Sequence, residues 1–219
     1  MNINRSRSVL LFGCIIWFVY GSFAWGQEQE YKWGLGLLGG FASFTGEISD
    51  VNDLEGEIGG LFSASAMTQL NKYISYGLGV EWNRHKLTRG TLSFGNASTV
   101  FLSVPFEFHL GRARQVSPYA FLSSGYVVNL FKESDSFKAA YGDQAHIEVA
   151  NSLAIKTGLG LEMFLLSDHI AFNVEVGFRY SIGEMKIYGT TFRSSDDFYN
   201  NIVFIQFGCR YYLPEPFFP

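Results

Sequence analysis

Three observations predict an all-β fold, an eight-stranded antiparallel up-and-down transmembrane β-barrel. Hydrophobicity alternates with a period of two. It does so in eight long stretches. The apolar content is high, yet no apolar run after residue 26 is long enough for a membrane helix. Hydrophobic residues are 47% of the chain, aromatic residues 17% and charged residues 16%, against about 25% charged in a typical soluble domain. So much apolar surface, dispersed by alternation, calls for an apolar solvent on one face of each strand.

The alternation is clearest from Ile170 to Ile182. Ile170, Phe172, Val174, Val176, Phe178, Tyr180 and Ile182 share one face; Ala171, Asn173, Glu175, Gly177, Arg179 and Ser181 share the other. The expected strands are 31–44, 58–70, 73–86, 98–110, 118–131, 149–164, 169–184 and 201–213. Most exceed the usual ~5–6 residues of globular strands and the ~9–11 that cross a bilayer at a tilt. Pro105 cannot donate to a ladder, so a bulge or twist is expected there. Connections at 71–72, 111–117 and 165–168 are short; those at 45–57, 87–97, 132–148 and 185–200 are longer and more polar. Short turns at one end and long loops at the other match outer-membrane barrels, whose long loops lie outside the cell. An even strand number then leaves both ends of the mature chain in the periplasm of a Gram-negative bacterium.

Residues 1–26 read as a secretory leader. Arg5 and Arg7 form its charged start, Val9 to Tyr20 its apolar core, and Ala24 and Gly26 the small residues before a cut at Gln27. The stretch Leu11-Phe12-Gly13-Cys14 only faintly resembles a lipoprotein box, because Phe12 is too large and the apolar core runs on past Cys14. The barrel is then 27–213 and residues 214–219 a periplasmic tail. Without the leader the 16 basic residues fall to 14 against 20 acidic ones, a net charge of −6. No basic stripe exists for nucleic acid. Cys209 alone remains, which excludes an intrachain disulfide.

An eight-stranded interior is only wide enough to be filled by side chains, so the small face is expected inside. Gly34, Gly36 and Gly40 share a face, as do Gly77, Gly79 and Glu81, and as do Gly158 and Gly160 with Lys156 and Glu162. A soluble lipocalin-like barrel would instead keep its apolar face inside. The expected lumen network is Lys32, Glu81, Glu107, Lys156, Glu162, Glu175, Arg179 and Arg210, four acids against four bases, with His85 and His109 on the same faces. Buried charges must be paired, so this count describes an ion-paired, closed interior; a proton or ion relay is the functional alternative.

Motifs for chemistry are missing. There is no phosphate-binding Gly-Lys-Ser/Thr loop and no His-x-x-x-His or Cys-x-x-Cys metal spacing, so no cofactor or metal is expected. His85, His109, His146 and His169 fall on separate elements. The loop from Glu47 to Glu57 carries five acids but lacks the spacing of a calcium loop. Tyr188, Phe192, Phe198 and Tyr199 stand among polar residues as a partner surface or an aromatic girdle.

The stretch Val100–Leu110, with its Val-Pro-Phe centre, followed by Pro118–Tyr126, resembles the central strands of porin-family outer-membrane β-barrel proteins of Bacteroidota, the group that includes PorT-like proteins. That family is similar in turn to OmpX-type and OmpA-type barrels. The resemblance implies an outer-membrane barrel acting in secretion or adhesion, with type IX secretion as one form, and carries over no catalytic residue. The His-x-Ser-Asn constellation of eight-stranded lipid A deacylases is missing. The expectation is therefore a non-enzymatic barrel; a lipid-modifying enzyme and a small pore are the alternatives. Gln206, Gly208, Tyr211 and Leu213 resemble the last-strand signal read by barrel-assembly machinery, although Pro214–Pro219 follow where the terminal aromatic usually stands. Expected partners are that machinery, outer-membrane lipid and lipopolysaccharide, and other outer-membrane proteins.

Overall fold

The computed structural model describes residues 33–45, 54–110, 116–165, 169–188, 193–199 and 201–213. Eight long strands form the wall: β1 (Trp33–Phe44), β3 (Gly59–Asn71), β4 (Ile74–Arg89), β5 (Leu92–His109), β6 (Val116–Glu133), β8 (Ser152–Phe164), β9 (Ile170–Tyr188) and β11 (Ile202–Leu213). Each pairs antiparallel with the next long strand in the chain. The circle closes where β1 meets β11, with Trp33 opposite Leu213 and Phe44 opposite Ile202. Closure leaves no open sheet edge, the condition for backbone in hydrocarbon.

Three short strands, β2 (Leu54–Gly56), β7 (His146–Val149) and β10 (Arg193–Tyr199), and the helix α1 (Asp135–Tyr141) lie at the long-loop end. The short strands prolong the wall. β10 pairs with β9 in the register that β11 uses lower down, Tyr199 facing Ile182 and Ile202 facing Arg179. β7 and β2 continue β8 and β3 after one-residue register slips. The segment 185–200 is therefore largely a hairpin rather than a loop, and the segments 45–57 and 132–148 contain ordered strand.

The expected loop at 87–97 is not one. β4 and β5 run on to a two-residue turn at Gly90 and Thr91, where Gly90 has φ +57, the left-handed conformation such a turn requires. The register slips between Leu87, opposite Gly95, and Thr88, opposite Ser93, so Phe94 is the extra residue of a bulge. Gly95 takes φ +148 there, and a Cβ would stand 2.2 Å from the Lys132 carbonyl oxygen. The bulge thus sits here and not at Pro105. At Pro105 pairing with β4 lapses for two residue pairs, but the register is the same on both sides and pairing with β6 is continuous.

Parity decides the faces in every long strand. Leu35, Leu37, Leu78, Val80, Leu102, Leu159 and Val176 point out and are exposed. Trp33, Tyr76, Phe108 and Tyr211 ring the short-turn end; Phe41, Phe62 and Trp82 lie towards the other. The inward face changes character along the axis. It is polar and charged in the lower and middle barrel. At the long-loop end it becomes apolar, with Phe44, Leu61, Leu87, Phe94, Ala97, Ile202 and Phe204 in one buried cluster. The segment carrying α1 folds over this end. Ser134 caps the helix by accepting from the Phe137 amide at 3.1 Å and ties it down by donating its own amide to Phe94 at 3.0 Å. Phe137 is buried against Phe94 and Tyr141, with ring centroids 5.4 and 4.9 Å away.

Candidate functional site: the charged lumen

The buried side chains below that apolar cap are ion-paired in two clusters. The middle cluster centres on Glu81 of β4. It accepts from Lys156 Nζ of β8 at 2.7 Å and from Arg179 Nη1 of β9 at 2.9 Å. Arg179 Nη2 also donates to Thr99 at 3.1 Å, and Thr99 donates to Asn83. Lys156 Nζ lies 4.3 Å from the Phe204 ring centroid, a cation–π contact that replaces solvent above the ammonium. Glu175 is 4.0 Å from Lys156 and accepts from Tyr119 at 2.7 Å and from Gln206 at 2.5 Å; Ser63 donates to Gln206 at 3.1 Å. Two cations thus face two carboxylates.

The lower cluster is built on Arg210 of β11. Its guanidinium makes a bidentate pair with Glu107 of β5, at 2.8 and 2.6 Å, and reaches Glu162 of β8 at 3.4 Å. Tyr212 donates to Glu162. His109 Nε2 is 3.3 Å from Glu107, and its Nδ1 is 3.1 Å from Ser117 Oγ. Glutamate, histidine and serine thus lie in a hydrogen-bonded line that superficially resembles a hydrolytic triad. Ser117 is wholly buried and Glu107 is clamped by Arg210, so the line joins the ion-pair cluster and offers a substrate no access.

Glycines fit these bulky groups into a narrow bore. A Cβ on Gly160 would lie 2.2 Å from the Tyr119 ring, and one on Gly208 would lie 2.0 Å from the Leu37 carbonyl oxygen. Between the clusters a cavity of about 50 Å³ is lined by Ser63, Ser65, Ser103 and Ser123 with Met67 and Pro105. That is room for a few waters and polar enough to hold them. His85 is inward, its ring 5.9 Å from Phe44, and neither ring nitrogen has a hydrogen-bond partner among the described residues. No group of His, Cys, Asp and Glu among the described residues is arranged to hold a metal.

Seven of the eight network positions read from the sequence are inside the barrel: Glu81, Glu107, Lys156, Glu162, Glu175, Arg179 and Arg210. Lys32, needed for the equal count, lies outside the described residues; the described lumen has four carboxylates against three permanent cations. Sequence reasoning had no way to select Tyr119, Thr99, Asn83, Ser63 and Ser117 as members, although all sit at inward parity. Gln206 and Gly208 face in, while Tyr211 faces out. Tyr188 stacks on His146 at 4.3 Å and donates to Glu148 at 3.2 Å on the β7–β9 extension. Phe198 and Tyr199 stand on β10 opposite Gly183 and Ile182; Phe192 and the tail 214–219 lie outside the described residues, as do 1–32.

The sequence matches no protein-family model and no curated protein. Solved structures match over most of the chain. The outer membrane protein OprG of Pseudomonas aeruginosa is 13% identical and superposes with a TM-score of 0.68 over 84% of this chain and 97% of that one. The fold is that of the eight-stranded outer-membrane barrels. AlkL, determined in lipid bilayers, is 11% identical with a TM-score of 0.52 over 89% of this chain and 97% of that one. Neisserial surface protein A is 11% identical with a TM-score of 0.50 over 83% and 97%. Identities this low carry the architecture alone.

Proposed function

We propose that this chain is a non-enzymatic integral outer-membrane barrel of a Gram-negative bacterium. It acts through its outward loops or as a subunit or accessory of an outer-membrane secretion or assembly complex. One observation carries the membrane reading. Leu78, Leu153 and Leu159 are 69%, 77% and 64% exposed while Glu162, Arg179 and Arg210 are at most 1% exposed. Water would not tolerate that apolar belt as a free surface, whereas hydrocarbon solvates it. The barrel folds of OprG, AlkL and neisserial surface protein A support the same reading.

The ion-paired lumen and the apolar cap argue against a pore, because a filled eight-stranded interior leaves no continuous aqueous path. In this reading the termini and short turns are periplasmic, and the prolonged β4–β5 and β9–β10 hairpins project outside. The β9–β10 segment that carries Tyr188, Phe192, Phe198 and Tyr199 meets a partner, and Gln206, Gly208, Tyr211 and Leu213 guide insertion by the assembly machinery. The resemblance of 100–126 to PorT-like strands makes a type IX secretion accessory the specific form of the proposal. Fractionation with a detergent gel tests the membrane part: a heat-modifiable outer-membrane protein is expected, and a protein soluble without detergent overturns it. Pull-down from native membranes tests the complex, and recovery of the barrel alone counts against it. Unchanged lipid A on deletion, by mass spectrometry, is expected of a non-enzyme.

A further inference from the structure

We infer that Arg84, Lys86 and Lys132 form a site for the phosphorylated headgroup of a lipid A-type glycolipid in the outer leaflet; this rests on the outer-membrane reading above. The cations lie on one outward-facing sector of the wall. Lys86 of β4 is opposite Asn96 of β5, which is opposite Lys132 of β6. One step lower, Arg84 is opposite Ser98. All three cations are exposed, and their inward neighbours His85 and Leu87 are buried. At strand spacing the two lysines are about 10 Å apart and Arg84 about 7 Å below Lys86. Their long side chains can converge on one phosphate, with the Asn96 amide and Ser98 hydroxyl between them.

Height on the wall points to a headgroup. The next outward row below is Trp82 and Val100, where the lipid-facing belt gives way on β4 and β5, while on β6 it reaches Leu130 in the row of Arg84 and Ser98. From Phe108 to Val100 the belt runs about 26 Å along the strand, or about 20 Å along the membrane normal at a tilt of about 40°. The cations therefore begin where hydrocarbon gives way to headgroups. Distribution points to a specific sector. The outward faces of β1, β3, β8 and β11 carry no lysine or arginine at all. Glu57 lies 3.1 Å from Lys86, with both side chains about half exposed, and Glu55 stands opposite Thr88 on the same outward row of β4. Three cations against these two carboxylates leave the cluster net positive, complementary to a phosphate. A guanidinium and two ammonium groups are the donors such an anion takes.

The test uses the full barrel in detergent with three probes: bisphosphorylated lipid A, the same lipid dephosphorylated, and inorganic phosphate. Native mass spectrometry reads the bound fraction. The wild-type barrel is expected to prefer the bisphosphorylated lipid by about tenfold, and R84Q/K86Q/K132Q to lose that preference while staying heat-modifiable. E57Q, which removes a competing carboxylate, should bind lipid A more tightly. Competition by millimolar inorganic phosphate assigns the site to free anion and overturns the lipid source. Equal binding by the triple variant, or no preference in the wild type, overturns the site itself. A barrel that fails to fractionate with the outer membrane defeats the underlying reading instead, so the two failures are separable.

Discussion

Replacing Arg210 with Met removes the one arginine or lysine of the lower cluster among the described residues. Arg210 is 1% exposed, and its loss leaves Glu107 and Glu162 facing each other in the bore without their bidentate and monodentate partner. Breaking a buried pair by deleting one member typically costs about 3–5 kcal/mol, because the remaining charge stays desolvated. Two carboxylates are stranded here, so the upper end of that range is expected, offset in part by the hydrogen bond from Tyr212 to Glu162. R210M/E107L replaces the bidentate pair by apolar groups and should recover much of the loss, leaving about 1–2 kcal/mol from Glu162. The assay is reversible urea unfolding in lipid vesicles, followed by tryptophan fluorescence and by the folded band on gels, as a double-mutant cycle. A loss below about 1 kcal/mol in R210M, or additive effects of the two substitutions, would refute the claim that these charges are buried and coupled.

Three further outcomes follow from particular contacts. Gly160→Val should destabilise the barrel by about 1–3 kcal/mol, since even the Cβ meets the Tyr119 ring at 2.2 Å; Y119A in the same chain should relieve it in urea unfolding. Leu78→Arg should cost about 2–4 kcal/mol in lipid vesicles, although Leu78 is 69% exposed and the change would be near neutral on a soluble protein. Phe137→Ala should loosen the cap without opening a pore: added protease cuts the 134–145 segment faster, while planar-bilayer conductance stays at the wild-type baseline because the clusters below are intact.

The strand parity was legible because the pattern inside the membrane is so consistent. From Ile170 to Ile182 every second residue is large and apolar, and Glu175 and Arg179 fall between them; the structure puts the two sets on opposite faces. The pattern failed at 87–97 for a physical reason. Above the belt the outward side turns polar, as at Lys86, and the inward side turns apolar, as at Leu87 and Phe94. The alternation persists with its polarity inverted, and a reading tuned to apolar-out strands ends there. The cap on Phe137 was hidden because one i, i+4 pair, Phe137 and Tyr141, in a seven-residue helix is too short a pattern to stand out as a helical period. Pairings across the bore, such as Glu81 with Lys156 and Arg179, depend on which strands face one another at one height. Tilt and register set that, and one strand's composition does not encode it.

The central claim is that hydrocarbon meets the outward parity and that the inward parity is packed away from lipid. Paramagnetic broadening of methyl signals by a doxyl-labelled fatty acid, in lipid nanodiscs, tests it without any substitution. The methyls of Leu78, Val80, Leu159 and Val176 should broaden strongly, while those of Leu38, Leu61, Met67 and Val127 keep their intensity. Uniform broadening, or broadening of the second set with the first spared, would contradict the account.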